Sequence, residues 1–385
     1  MAGDLAMLYP RGENQYMPGR RLDAFSRRGL LGAAALPLLA QERTTAAAGW
    51  PRLGRQLRVG MVGLEGHPSV VYDVVAQHPD LALTAIARDQ VPVEGITRRE
   101  PFRNTRVYPD FGSMFKAESF DVMAVCNTNG HRAEVIVEAA RRGWHVVAEK
   151  PVALNAAELR DVQNAVAKAG IGFTSLLPMR YDPPLFTMAS LVRDGAVGEV
   201  QLMNGQKSYK LGSRAAWFQD AALYGSTMQW IGVHMLDLMH WVSGQRFRSV
   251  YSYEQNVGQP ALGDMQNVSG AVLQLANGGV ATLNMDYLRP DAASTHGDDR
   301  LRVAGTKGIL EYRVHDGLLS LRSEERESAR PALLHPEFPL LLEFLLNVYQ
   351  KRPMLIQKEE IFHVVMALNA ARQSSRDGCA ASLPQ

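Results

Sequence analysis

The chain has 385 residues, 46% of them hydrophobic and 21% charged, with a net charge of +2. That length accommodates two domains with cores of their own, and the composition is that of a globular protein. The near-neutral charge argues against an electrostatic nucleic-acid binder, and two distant cysteines, Cys126 and Cys379, argue against a disulfide framework or a C-x-x-C metal site.

Residues 1–48 read as a leader. The stretch "SRRGLLGAAALPLLA" at 26–40 sets Ser26 and the pair Arg27-Arg28 before a short apolar run. The run is too short for a stable membrane span, and the arginine pair is the twin-arginine export signature. The expectation is export, to the periplasm or another extracytoplasmic space, through the twin-arginine machinery. Cleavage after Leu39-Ala40 or within 46–48, and a start at Met1, Met7 or Met17, all stay open.

From 57 to 176 short apolar runs alternate with helical stretches. Strands are expected at 58–63, 81–87, 121–127, 145–150 and 170–175, with helices at 69–78, 112–117, 131–143 and 155–169. Asn155 and Glu158 form a capping-box pattern at the last helix. This alternation predicts an α/β domain with a parallel, Rossmann-type sheet, whose ligands bind at the carboxyl ends of the strands.

The segment 177–385 has another rhythm. A helix at 183–194 ends in "RDGAVG", a long strand covers 199–211, and a helix covers 226–243. Strands then follow in series at 247–256, 267–275, 279–287, 300–304, 308–314 and 317–322. Asn277-Gly278-Gly279 marks a hairpin turn. Helices at 336–350 and 358–376 close the chain. Consecutive strands predict an α+β domain with a large, mostly antiparallel open sheet.

The first loop, "GLEGHP" at 63–68, breaks the G-x-G-x-x-G spacing. Gly63 suits the tight turn, but Glu65 and Pro68 replace glycines, leaving Gly66 and His67 between them. A carboxylate beside a pyrophosphate is repulsive, while Pro68 is tolerated in a first helical turn. Alone the loop is a weak signal for a dinucleotide. Arg88 stands at the end of the second strand, where an arginine favours a 2′-phosphate and hence NADP; a surface Arg-Asp pair with Asp89 is the plainer reading.

The strongest signal is "HVVAEKPVALNAAEL" at 145–159. With "NTNGHRAEVIVEAARRGWHVVAEKP", "DGAVGEV", "GVHMLDLMHWVSG", "VAGTKGILEY" and "AARQSSRDGCAASLP", it resembles the Gfo/Idh/MocA family of glucose–fructose oxidoreductases and inositol dehydrogenases over nearly all of 57–384. The resemblance implies a bound NADP or NAD. It puts Glu149, Lys150 and Pro151 at the nicotinamide and Asn127 and Asn129 in the cofactor site, with Lys150 touching both cofactor and a sugar or polyol substrate. It also implies a homo-oligomer.

The same resemblance expects D-x-x-x-H, an aspartate orienting a proton-accepting histidine. Here the histidine is His234, and Trp230 stands at the aspartate position. Asp237, three residues on, shares a helical face with His234 and is a candidate partner. Arg180, Tyr209, Lys210, Arg214, Trp217 and Trp230 are candidate substrate contacts, aromatic faces for sugar rings and cations for hydroxyl or carboxylate groups. No metal is expected, because His234 and His240 face different ways. The expected activity is hydride transfer between nicotinamide and a hydroxyl-bearing carbon. A glycoside hydrolase or lyase using transient oxidation, and a non-catalytic sugar binder, are the alternatives.

Overall fold

The computed structural model describes residues 49–314, 318–323 and 326–383. The arginine pair and apolar run at 26–40 lie outside them.

The first half is a six-stranded sheet in the order β3-β2-β1-β4-β5-β6, parallel throughout. Its strands are β1 (Leu57–Val62), β2 (Leu81–Ala87), β3 (Arg106–Tyr108), β4 (Val122–Val125), β5 (His145–Ala148) and β6 (Phe173–Ser175). Apolar residues on both faces of β1 and β4 are buried, as a sheet covered by helices on each side requires. The covering helices include α1 (Ser69–Gln77), α2 (Phe111–Ala117), α3 (Asn129–Arg141) and α4 (Ala156–Ala169). Asn155 caps α4 by accepting from Ala157 N and Glu158 N, and Glu158 accepts from Leu154 N at 2.7 Å.

The second half begins with α5 (Pro183–Arg193) and β7 (Val200–Lys210), then α6 (Val233–Ser243). Seven further strands follow: β8 (Phe247–Gln255), β9 (Val268–Leu275), β10 (Val280–Arg289), β11 (Gly297–Gly305), β12 (Gly308–Arg313), β13 (Leu318–Ser323) and β14 (Arg326–Ala329). Helices α7 (Leu340–Gln350) and α8 (Lys358–Asp377) and a short β15 (Ala381–Ser382) complete the fold. The sheet order is β14-β13-β12-β11-β7-β10-β9-β8-β15, antiparallel except for β7 beside β10. The β9–β10 hairpin turns at Gly278, φ +88°, with Asn277 Oδ1 accepting from Gly279 N. The expected strands and helices are recovered within a few residues; β3, β14 and β15 are additional.

One departure bears on the site. The continuous helix expected over 226–243 is divided. Met228–Gly232 form a π-helical turn, and regular α-helix starts only at Val233. Such turns insert a residue into the helical register and recur at functional sites. Here the turn carries Trp230.

Candidate functional site

The carboxyl ends of β1, β4 and β5 bring together the loop 63–68, Asn127 and the Glu149-Lys150-Pro151 segment. Gly63 has φ +70°, and a Cβ there would strike the Cys126 carbonyl, so the loop needs glycine to lie against β4. Gly66 lies so close to the Glu149 carboxylate that a Cβ would overlap it. Several of the loop's amides are bonded within the protein. Glu65 N donates to Cys126 O at 2.7 Å, His67 N donates to Glu149 Oε1 at 2.5 Å, and Pro68 has no N–H. Those two amides of the loop are therefore bonded within the protein.

Glu65 is buried, and burial followed by the nearby Asp89 charge pushes its carboxyl up to about 7. Glu149 is fully buried too. Burial opposes its charge, but His67, Lys150 and Arg132 outweigh that and pull it down to about 2. His67 Nδ1 is hydrogen-bonded to the same Oε1, and Lys150 N donates to Oε2 at 2.5 Å.

Lys150 is 2% exposed. Its ammonium lies 3.8 Å from the Trp230 ring centroid and donates to Trp230 O at 2.9 Å. Trp230 packs edge-on against Trp217 and Phe218, each 5.6 Å away, with Tyr224 completing an aromatic wall. His234 is buried and meets the His67 ring edge-to-face at 5.1 Å. Burial, then Lys150, Lys207 and His67, hold its pKa well below the ordinary imidazole value, so it is neutral. Its Nδ1 has no hydrogen-bond partner among the described residues, nor has the Trp230 indole nitrogen.

Not every expected residue joins this cluster. Arg180 and Asp237 pair with each other at 2.6 and 3.0 Å, both buried, and Arg180 also reaches Glu360 at 2.7 Å and Leu355 O at 2.8 Å. Asp237 is thereby unavailable to His234, and Arg180 ties the segment between β6 and α5 to α8. Asn129 donates to Tyr224 O at 2.7 Å and accepts from the buried Arg132, so it joins the two halves. The Pro151 carbonyl also accepts from Arg132, at 2.9 Å. Arg88 is on the surface, paired with Glu94; Asp89 instead accepts from Thr128 N at 2.6 Å. Lys210 donates to Ala293 O at 2.6 Å, Arg214 stacks 4.6 Å over Tyr287, and Tyr209 packs on His296 at 5.1 Å, forming a flank beyond the aromatic wall.

Lys207 was missed. It is fully buried, bonded to Asp299 at 2.6 Å, and its charge acts on His234. The signal was available: residues 203, 205 and 207 alternate inward along β7, which puts Lys207 on the core face. Among the described residues no three His, Cys, Asp or Glu side chains converge as a metal site, and no helix is long and apolar enough to cross a membrane.

Residues 57–175 match the oxidoreductase family with an NAD-binding Rossmann fold, GFO/IDH/MocA, and residues 186–311 match the GFO/IDH/MocA C-terminal domain. The chain belongs to the GFO/IDH/MocA family. It is 25% identical over 151 residues to inositol 2-dehydrogenase of Salmonella typhimurium, covering 38% of this chain and 42% of that one. It is 24% identical over 248 residues to D-glucoside 3-dehydrogenase of Escherichia coli, covering 60% and 70%. A Thermotoga maritima structure described as a candidate oxidoreductase superposes with a TM-score of 0.80 at 27% identity, covering 85% of this chain and all of that one. The matches span about half the length of the first-ranked curated relatives.

Proposed function

We propose that this GFO/IDH/MocA protein is an oxidoreductase that transfers hydride between NAD or NADP and a hydroxyl-bearing carbon of a sugar or polyol. The observation that carries the reading is the placing of the Lys150 ammonium on the Trp230 face, with the buried His234 near enough to feel its charge, at the carboxyl edge of the parallel sheet. A cation and a neutral imidazole are what a departing hydroxyl proton needs, and an indole face suits a sugar ring.

The residues fit a nicotinamide dinucleotide. Asn127 Oδ1, Thr128 Oγ1, Thr174 Oγ1 and Ser175 Oγ are buried at the ends of β4 and β6 and lack partners among the described residues. A polar ligand along this edge satisfies them. Gly63, Gly66, Asn127, Thr128 and Lys150 are the residues that would hold it. The dinucleotide supplies the hydride acceptor. Lys150 stabilises negative charge developing on the substrate oxygen, and His234 accepts its proton. Trp230, Trp217 and Tyr224 exclude water and orient the ring, with Arg214 and Lys210 at the flank for a polar substituent.

A second reading has one observation in its favour. His234 has no carboxylate beside it, since Trp230 stands four residues before it and Asp237 is bound to Arg180. A redox-neutral glycoside cleavage through transient oxidation needs less net proton transfer from this histidine. We further propose export by the twin-arginine route with the dinucleotide already bound, from "SRRGLLGAAALPLLA", and assembly as a homo-oligomer. Incubating the purified protein with myo-inositol, D-glucose and aryl D-glucosides, and following both reduced-nicotinamide absorbance and release of the aryl group, separates the readings. Absorbance change without aryl release supports the dehydrogenase; aryl release without absorbance change supports the cleavage.

A further inference from the structure

We propose that His67, clamped by Glu149, is the positioning residue for His234. This rests on His234 being the proton acceptor of the reaction proposed above. His234 needs an orienting contact, and the usual candidates are absent from its surroundings. Its Nδ1 is unpartnered among the described residues, and the one carboxylate on its helix face, Asp237, is committed to Arg180. The ring packed directly on it is His67, at 5.1 Å and 88°.

His67 is itself fixed. Glu149 Oε1 takes hydrogen bonds from both its backbone N and its Nδ1, while Oε2 is anchored by Lys150 N. Gly66 is what lets the carboxylate come this close to the loop. Donation from Nδ1 to a carboxylate sets the tautomer, leaving the Nε2 lone pair when the ring is neutral. Free imidazole favours the other tautomer, so the clamp leaves a mark that can be read directly.

The contact crosses the two halves of the chain. Glu149 and His67 belong to the parallel-sheet half and His234 to the other. The charged and titratable groups facing His234 are Lys150 from the end of β5, Lys207 from β7 and His67 from the first loop. Those facing Glu149 are His67, Lys150 and Arg132. Lys150, Lys207 and His67 all oppose a positive charge on His234. The clamp therefore orients His234 without supplying the basicity that an adjacent carboxylate gives.

The test is imidazole 15N spectroscopy on the full chain with labelled histidine. His67 is expected to carry a proton on Nδ1, donated to Glu149. In His67→Ala the His234 resonances are expected to shift, with kcat falling about tenfold to a hundredfold and KM changing less than about twofold. His67→Gln, whose amide can still donate to Glu149, is expected to recover part of the loss. An Nε2–H tautomer at His67, or His234 resonances unmoved in His67→Ala, overturns the proposal. If His67→Ala does not fold, the wild-type tautomer decides. The spectra need no substrate, so absence of turnover on every sugar would overturn the oxidoreductase reading separately.

Discussion

The Lys150 ammonium lies 3.8 Å above the Trp230 ring and donates to Trp230's own carbonyl. One residue thus supplies the lysine with both a π face and an acceptor, and the π-helical turn is what aims both at it. A buried cation held this way costs little reorganisation when negative charge develops nearby.

Replacing Lys150 by Met keeps the aliphatic stem and removes the charge. The expected loss in kcat/KM is about 10²–10³. Steady-state rates of reduced-nicotinamide formation check it, and a loss below about threefold would assign the lysine to packing.

Trp230→Asp puts a carboxylate four residues before His234. In the wild type His234 stays neutral, so at saturating dinucleotide kcat/KM for the sugar is expected to be flat from pH 6 to 8. The new carboxylate raises the imidazole pKa, and the protonated form cannot accept a proton. The variant is expected to lose about tenfold between pH 8 and pH 6. A pH profile of both proteins checks this.

Asp237→Asn breaks the buried pair with Arg180, which is bonded to it at 2.6 and 3.0 Å. Leaving a buried guanidinium short of its partner costs about 3 kcal/mol. A lower Tm with unchanged substrate KM is expected, because the pair is buried and joins the segment after β6 to α6. Calorimetry with a KM measurement checks both.

Glu65 has a folded-state pKa of about 7, raised by burial and Asp89. Between the unfolded value of about 4.3 and 7, the folded chain holds a proton that the unfolded chain has released. Glu65 therefore contributes stability at low pH that is lost as pH rises to 7. Glu65→Gln is expected to be more stable than wild type above pH 7, by about 4 kcal/mol at most, and to lose that advantage as pH falls to about 4. It is also expected to bind NAD more tightly at pH 8, where the wild-type carboxylate repels a pyrophosphate. Tm at a series of pH values, and titration calorimetry with NAD, check the two effects.

The architecture was legible because it is written in local periodicity. Short apolar runs separated by helical stretches gave the parallel sheet, and Asn155 with Glu158 marked the start of α4. The site was legible only in part. Lys150 and His234 stood out by motif, and the structure brings them to one cluster. Their partners did not, because they are distant in sequence. His67 and Glu149 are 82 residues apart, and Arg180 and Asp237 are 57 apart. Helical spacing put Asp237 beside His234, but the buried Arg180, which bonds Glu360 through its other nitrogen, claimed the carboxylate first. The π-helical turn left no periodic trace, since residues 228–240 are buried on every side and have no amphipathic pattern for an inserted residue to shift.

The most direct test of the central claim is to mix purified protein with NAD or NADP and a panel of sugars and polyols, and to record absorbance in the reduced-nicotinamide band. The account predicts formation of the reduced band with at least one hydroxyl-bearing substrate, slowed about 10²–10³-fold in the Lys150→Met variant. Failure to bind either dinucleotide, or a band that forms equally well without Lys150, would contradict it.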